Sequence, residues 1–333
     1  MGIAVELIET KQRLYQLLSE GKLDDVQQQA LEIMTAYPQD KELEEILATV
    51  HFWKHREEYF FLQDDTEGGE ELFQEWWKYE SFRKENGHTN LKVYQSIKYF
   101  VFSRLMEILI EVYRLSPFPR KDILLTLGEV FSTLGMTDRA IETLEYALSL
   151  DRNDEDVMIY ILLGNAYADA GEEELASVMY NDAFYINPAM IELEKITYPP
   201  IQKLAQLIKT HGVKKELLAE WIPVYAFAHG TLKNKREMSM RFLQGLRQRI
   251  TVLEQTIKYD KKAIDVLVPR LINAYLWLLD YHLCQTQAKN NTQAVARKIL
   301  DIIDKGIFLE SVRKHLLEKL EPALNQIEKY ITR

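Results

Sequence analysis

The chain has 333 residues, 47% of them hydrophobic, and a formal net charge of -10. The apolar share excludes a disordered chain, and the acidic balance argues against a nucleic-acid surface, which needs a concentrated positive field. Glycine (13) and proline (9) are scarce for this length, so long elements with short connections are expected, and alternating strand patterns are hard to find.

In chain order, Leu7, Leu14, Leu17 and Leu18 recur at helical spacing, and Gly21 ends this first predicted helix. A second runs over 24–36, with Val26, Ala30 and Ile33 on one face and Pro38 after it. A third starts near Asp40 and carries Leu43, Leu47, Val50 and Phe52. None of the three is long enough to be stable alone, so they must pack in pairs. Residues 51–80 are rich in aromatics, among them Trp53, Trp76 and Trp77, and read more readily as a core than as an exposed binding patch. Within them 64–69, with its Gly68-Gly69 pair, reads as a loop. A loop at 86–90 precedes a long helix over 91–115, which Pro117 and Pro119 terminate.

Residues 121–188 contain two successive helix–turn–helix units. Gly128 and Gly164, Gly135 and Gly171, Ala140 and Ala176, and Ala147 and Ala183 are each 36 residues apart. Gly128, Gly164 and the four alanines are small where helices cross closely, Phe131 and Tyr167 fill the space beside them, and Gly135 and Gly171 suit a left-handed helix end. Beyond Pro188 the repeat fades. Helices are predicted near 200–210, 214–229, 236–258, 262–286, 291–305 and 309–331, with Pro223 and Pro269 as kinks or first-turn prolines.

The Leu-Gly-x-x-Tyr, Ala and Pro pattern resembles the tetratricopeptide repeat. Residues 157–190 match nearly throughout, and 121–154 match well but have Arg152 where the closing proline is expected. Residues 7–40 resemble a degenerate unit, with Leu14, Gly21, Ala30 and Pro38 in register. The resemblance implies an all-α fold, an α-α superhelix of such hairpins. Three regions are expected: degenerate repeat-like helices with an aromatic-rich insertion at 1–120, two clear units at 121–190, and stacked helices with a capping helix at 191–333.

The family's groove-facing positions correspond here to Asp122, Leu125, Glu129, Ser132 and Thr133 in the first unit. In the second they are Met158, Ile161, Asn165, Ala168 and Asp169. Asn165 matches the family's groove asparagine, which bonds the backbone of a bound peptide, whereas Glu129 departs from that pattern. Family members that grip acidic tails do so with Lys, Arg and Asn. These positions are acidic, apolar or small, so an apolar or basic segment, or a helix of the chain itself, is the expected occupant.

Little points to catalysis. His51 and His55 stand four apart on one helix face, but Phe52 occupies the position of a metalloprotease glutamate and no further ligands are evident. Neither a metal nor a cofactor is expected. Lys233, Lys235, Arg236, Arg241, Arg247 and Arg249 read as a solvated face, with an anionic partner or membrane surface as the other reading. The one cysteine, Cys284, follows an apolar helical run and reads as a buried thiol. The stretch 266–284 contains Arg270, Asn273, Asp280 and His282, which suits a buried helix better than a membrane span. The N-terminus lacks a signal-peptide pattern, so a cytoplasmic location is expected, although a mature exported form would look the same. The function expected is a non-enzymatic scaffold that binds a peptide or helix of a partner protein. The alternative is a helical protein that holds a small molecule between the repeat and C-terminal halves. The partner's identity and any homo-oligomer are left open.

Overall fold

The computed structural model describes residues 2–60, 66–150, 156–232, 238–260, 262–283, 289–306 and 308–331. Among the described residues there are fifteen α-helices and no strand. The all-α architecture of helical hairpins is therefore as expected. Cys284, Lys233, Lys235, Arg236 and Arg152 lie outside the described residues. The helices group into two compact units, residues 1–143 and 144–333, and the boundary falls within the seventh helix.

In the first unit, α1 (Gly2–Ser19), α2 (Leu23–Ala36), α3 (Lys41–Lys54), α4 (Thr66–Glu85), α5 (Leu91–Leu115) and α6 (Lys121–Thr133) follow one another with short connections. Each of α1, α3, α4 and α6 packs on α5, the long helix, whose Ile97, Val101 and Leu105 are fully buried. Asp40 caps α3 by accepting from the amides of Glu42 and Leu43 at 3.0 and 3.2 Å. Lys11 reaches across from α1 to Asp40 at 2.6 Å and to Glu42 at 2.9 Å, so the cap also ties the two helices. Buried Glu45 of α3 accepts from the amides of Thr89 and Asn90, which satisfies the chain just before α5 begins.

The aromatics of 51–80 are mostly core. Phe52, Trp53, Phe60, Trp76 and Tyr79 are buried and lean on one another, with Trp53 and Trp76 centroids 6.3 Å apart. The tryptophan pair nevertheless splits, because neighbouring helical positions face different ways: Trp76 is 3% exposed and Trp77 50%. The loop expected at 64–69 needs correction. Residues 61–65 lie outside the described residues, but Thr66 starts α4, so Gly68 and Gly69 are helical. A Cβ on Gly69 would stand 2.8 Å from Leu109 of α5. The glycine signals close helix approach rather than a turn.

The seventh helix, α7 (Thr137–Leu150), buries Ala140, Leu144 and Ala147. The second unit continues with α8 (Val157–Asp169), α9 (Glu173–Ile186), two 3₁₀ turns (Pro188–Met190 and Leu193–Lys195) and α10 (Pro199–Thr210). After a third turn (Lys215–Leu217) come α11 (Leu218–His229), α12 (Met240–Tyr259), α13 (Ile264–Leu283), α14 (Lys289–Lys305) and α15 (Glu310–Ile331). Consecutive helices pair from α10 with α11 and from α12 through α15, while α11 also packs on α13 and α15. Pro223 and Pro269 stand inside α11 and α13, beyond the first turn, so each lacks an N–H that would bond four residues back. Arg270, inside the apolar stretch of α13, forms a two-pronged ion pair with Glu220 of α11, which is 2% exposed. No described helix is long and apolar enough to cross a membrane.

Candidate functional site

The two repeat units share one local device at the end of their first helix. Gly135 and Gly171 take φ of 73° and 80°. Past each glycine the chain turns back on the helix: the Met136 amide donates to the Phe131 carbonyl at 2.8 Å, and the Glu172 amide to the Tyr167 carbonyl at 2.8 Å. The periodicity in the sequence is thus a periodicity of helix caps. The helix α1 ends in the same way, with the Lys22 amide donating to the Leu17 carbonyl beyond Gly21. In the second unit α8 and α9 cross at Gly164. A Cβ there would stand 2.7 Å from the ring of Tyr180, which is fully buried.

The groove-position residues differ in how far they are accessible. In α6, Asp122 is exposed while Leu125, Glu129, Ser132 and Thr133 are half-buried. Asp122 pairs with Arg120, and this hydrogen bond holds its carboxyl below the ordinary carboxylate value. Glu129 lies in the field of Lys98 of α5, where burial lowers the lysine and Glu80 and Glu129 oppose that effect. In α8, Met158 and Ala168 are half-buried and Asp169 is exposed, and partial burial of its carboxyl raises the pKa of Asp169. Ile161 and Asn165 are buried, at 2% and 7% exposure.

Asn165 is engaged by the chain itself. Its Nδ2 donates to the Lys195 carbonyl at 2.8 Å, and its Oδ1 accepts from the Thr197 amide at 3.0 Å and from the Tyr180 hydroxyl at 2.7 Å. One side-chain amide thus clamps the backbone of a passing segment, residues 187–198, hereafter the strap. Between the two clamped groups Ile196 is fully buried, and Gln202 of α10 donates to its carbonyl at 2.9 Å. Tyr198 stacks on Tyr180 with centroids 5.6 Å apart. An asparagine read in the sequence as a contact for an outside peptide is here filled by an internal one. The sequence could not show this, because Lys195 and Thr197 carry the interaction through backbone atoms.

Outside the strap an open cleft of about 680 Å³ lies between it and α10 and α11. Its floor includes Ile191, Leu218 and Ala219, and Glu192, Glu194, Lys215 and Glu216 stand around it. A second feature absent from the sequence reading joins the ends of α10, α11 and α15. His229 Nε2 and His315 Nε2 are 2.9 Å apart, their ring centroids are 5.1 Å apart and their planes differ by 19°. His211 Nδ1 is 2.7 Å from the Tyr225 hydroxyl, and the His211 ring lies 4.7 Å from that of His315. Burial and the neighbouring cations and histidines lower His229 and bring His315 down to about 4. These histidines are too widely separated in sequence to form a motif.

His51 and His55 adjoin on α3 with ring centroids 4.3 Å apart, and His55 Nδ1 donates to the His51 carbonyl at 2.8 Å. No group of three metal-ligating side chains converges among the described residues. Of the basic cluster, Arg241 and Arg247 are exposed on α12, while Arg249 lies 4.4 Å over the ring of Tyr185.

A tetratricopeptide-repeat family model matches residues 122–154 and 159–190. The chain contains tetratricopeptide repeats at these two positions. Such repeats generally mediate protein–protein interaction, and proteins built on them are typically non-enzymatic scaffolds. No curated protein matches the sequence.

Proposed function

We propose that the chain is a non-enzymatic adaptor that binds an apolar or basic peptide or helix of a partner protein through its repeat surfaces. The candidate contacts are Asp122, Leu125, Glu129 and Ser132 in one repeat and Met158, Ala168 and Asp169 in the other, since Ile161 is buried and Asn165 is taken up by the strap. One observation carries the reading: three of these positions are carboxylates and none is Lys, Arg or His. A carboxylate-rich ligand would meet like charge there, whereas a cationic or apolar one would not. The exposure of Asp122 and Asp169 supports a role in contact with a ligand.

The test is fluorescence anisotropy with two labelled peptides, one carrying apolar and basic residues and one ending in an acidic tail. The first should bind more tightly, and Asp169→Lys should weaken it. Tighter binding of the acidic peptide than of the basic one would overturn the proposal.

A further inference from the structure

We infer that the cleft outside the strap is a docking surface for a partner segment that carries arginine or lysine around an apolar side chain. The inference rests on the reading that the chain binds such segments, and it adds a second contact surface at residues outside the repeat positions. Asn165 and Gln202 hold the strap at three consecutive residues, Lys195, Ile196 and Thr197, so it is a fixed segment rather than a loose loop. The cleft it bounds, about 680 Å³, falls within the range of ligand sites, roughly 300–1,000 Å³.

Its floor is apolar. Ile191, Leu218 and Ala219 are all no more than 9% exposed, so they present a packed surface that does not collapse when a side chain enters. Its rim is acidic. Among the lining residues Glu192, Glu194 and Glu216 outnumber Lys215, whose ammonium lies 2.8 Å from Glu194. Lys195 stands 3.7 Å from Glu192. The carboxylates of both pairs are exposed, so each pair is worth little and a guanidinium from a partner can replace either lysine at small cost. An apolar anchor flanked by cations matches floor and rim together. An acidic segment would match neither.

The experiment is fluorescence anisotropy on the full chain. The probe is a short fluorescein-labelled peptide of alternating leucine and arginine, and the control has glutamate in place of each arginine. Glu192→Lys combined with Glu216→Lys should weaken probe binding by roughly tenfold or more, since both sites are exposed and reverse the rim charge without touching the core. Ala205→Trp, which fills the cleft, should do the same. Glu44→Lys combined with Glu85→Lys, the same change of charge at exposed positions outside both the cleft and the repeat positions, should leave binding as in the wild type. Loss in Asp122→Lys combined with Asp169→Lys, with both cleft variants unchanged, overturns this inference and leaves the adaptor reading standing. Equal binding of both peptides by the wild type, or binding of neither, overturns both.

Discussion

Gly164 and Asn165 are neighbours in α8, and each is explained by what faces it. Gly164 has no Cβ because the buried ring of Tyr180 occupies that space at 2.7 Å. Tyr180 cannot swing away, since it is fully buried and its hydroxyl donates to Asn165. Gly164→Ala should therefore destabilise the protein by about 1–3 kcal/mol, the cost of overpacking a filled core, read from urea denaturation. Asn165→Ala removes partners from the Lys195 carbonyl and the Thr197 amide at once. The buried Tyr180 hydroxyl also loses its acceptor, so a loss of about 1–3 kcal/mol is expected, and amide exchange at Thr197 should accelerate. An Asn165→Ala protein with unchanged stability and strap protection would mean that the clamp is idle. The small residues at 128, 140, 147, 164, 176 and 183 were legible in the sequence because steric demand repeats with the fold. The strap was not legible, because a backbone ligand leaves no side-chain signature.

At the scale of elements, two contacts hold the last helices together. Arg270 of α13 and Glu220 of α11 form an ion pair on the buried side of α11. Arg270→Ala strands a carboxylate that is 2% exposed, so a loss of about 3–5 kcal/mol is expected, measured by thermal or chemical unfolding. The histidines at the ends of α10, α11 and α15 act differently. The Nε2 contact between His229 and His315 needs one donor and one acceptor, so it exists only while at least one ring is neutral. His229 is lowered, and His315 falls to about 4 from the ordinary 6.5. The folded state therefore takes up protons less readily than the unfolded chain. This contribution to stability is present above pH 6.5 and is lost as pH falls from there toward about 4. Denaturation midpoints should fall across that window, and His315→Gln should flatten the fall. Glu318 and Lys319 on α15 also act on His315, in opposite directions. Helical patterns located α10, α11 and α15 without the structure, although α10 buries one face whereas α11 is buried continuously from Leu218 to Ala226. They were blind to the histidines, whose meeting depends on how three helix ends are brought together.

For the molecule as a whole, the net charge of -10 sets what it can approach. Electrophoretic mobility-shift assays with single- and double-stranded nucleic acid at physiological salt should show no complex, since a net charge of -10 opposes phosphate binding. Retention there would point to the basic residues around α12. By itself the sequence determined the all-helical class, the two repeats and their caps, and the acidic or apolar character of the repeat positions. These depend on local propensity and on a spacing that recurs along the chain. Only the tertiary structure decided that Gly69 belongs to a helix contact, that Asn165 is taken up by the strap, and that a cleft with an acidic rim lies on the strap's far side. Those features come from backbone atoms and distant side chains brought together by packing, and packing is not written in any single stretch of sequence.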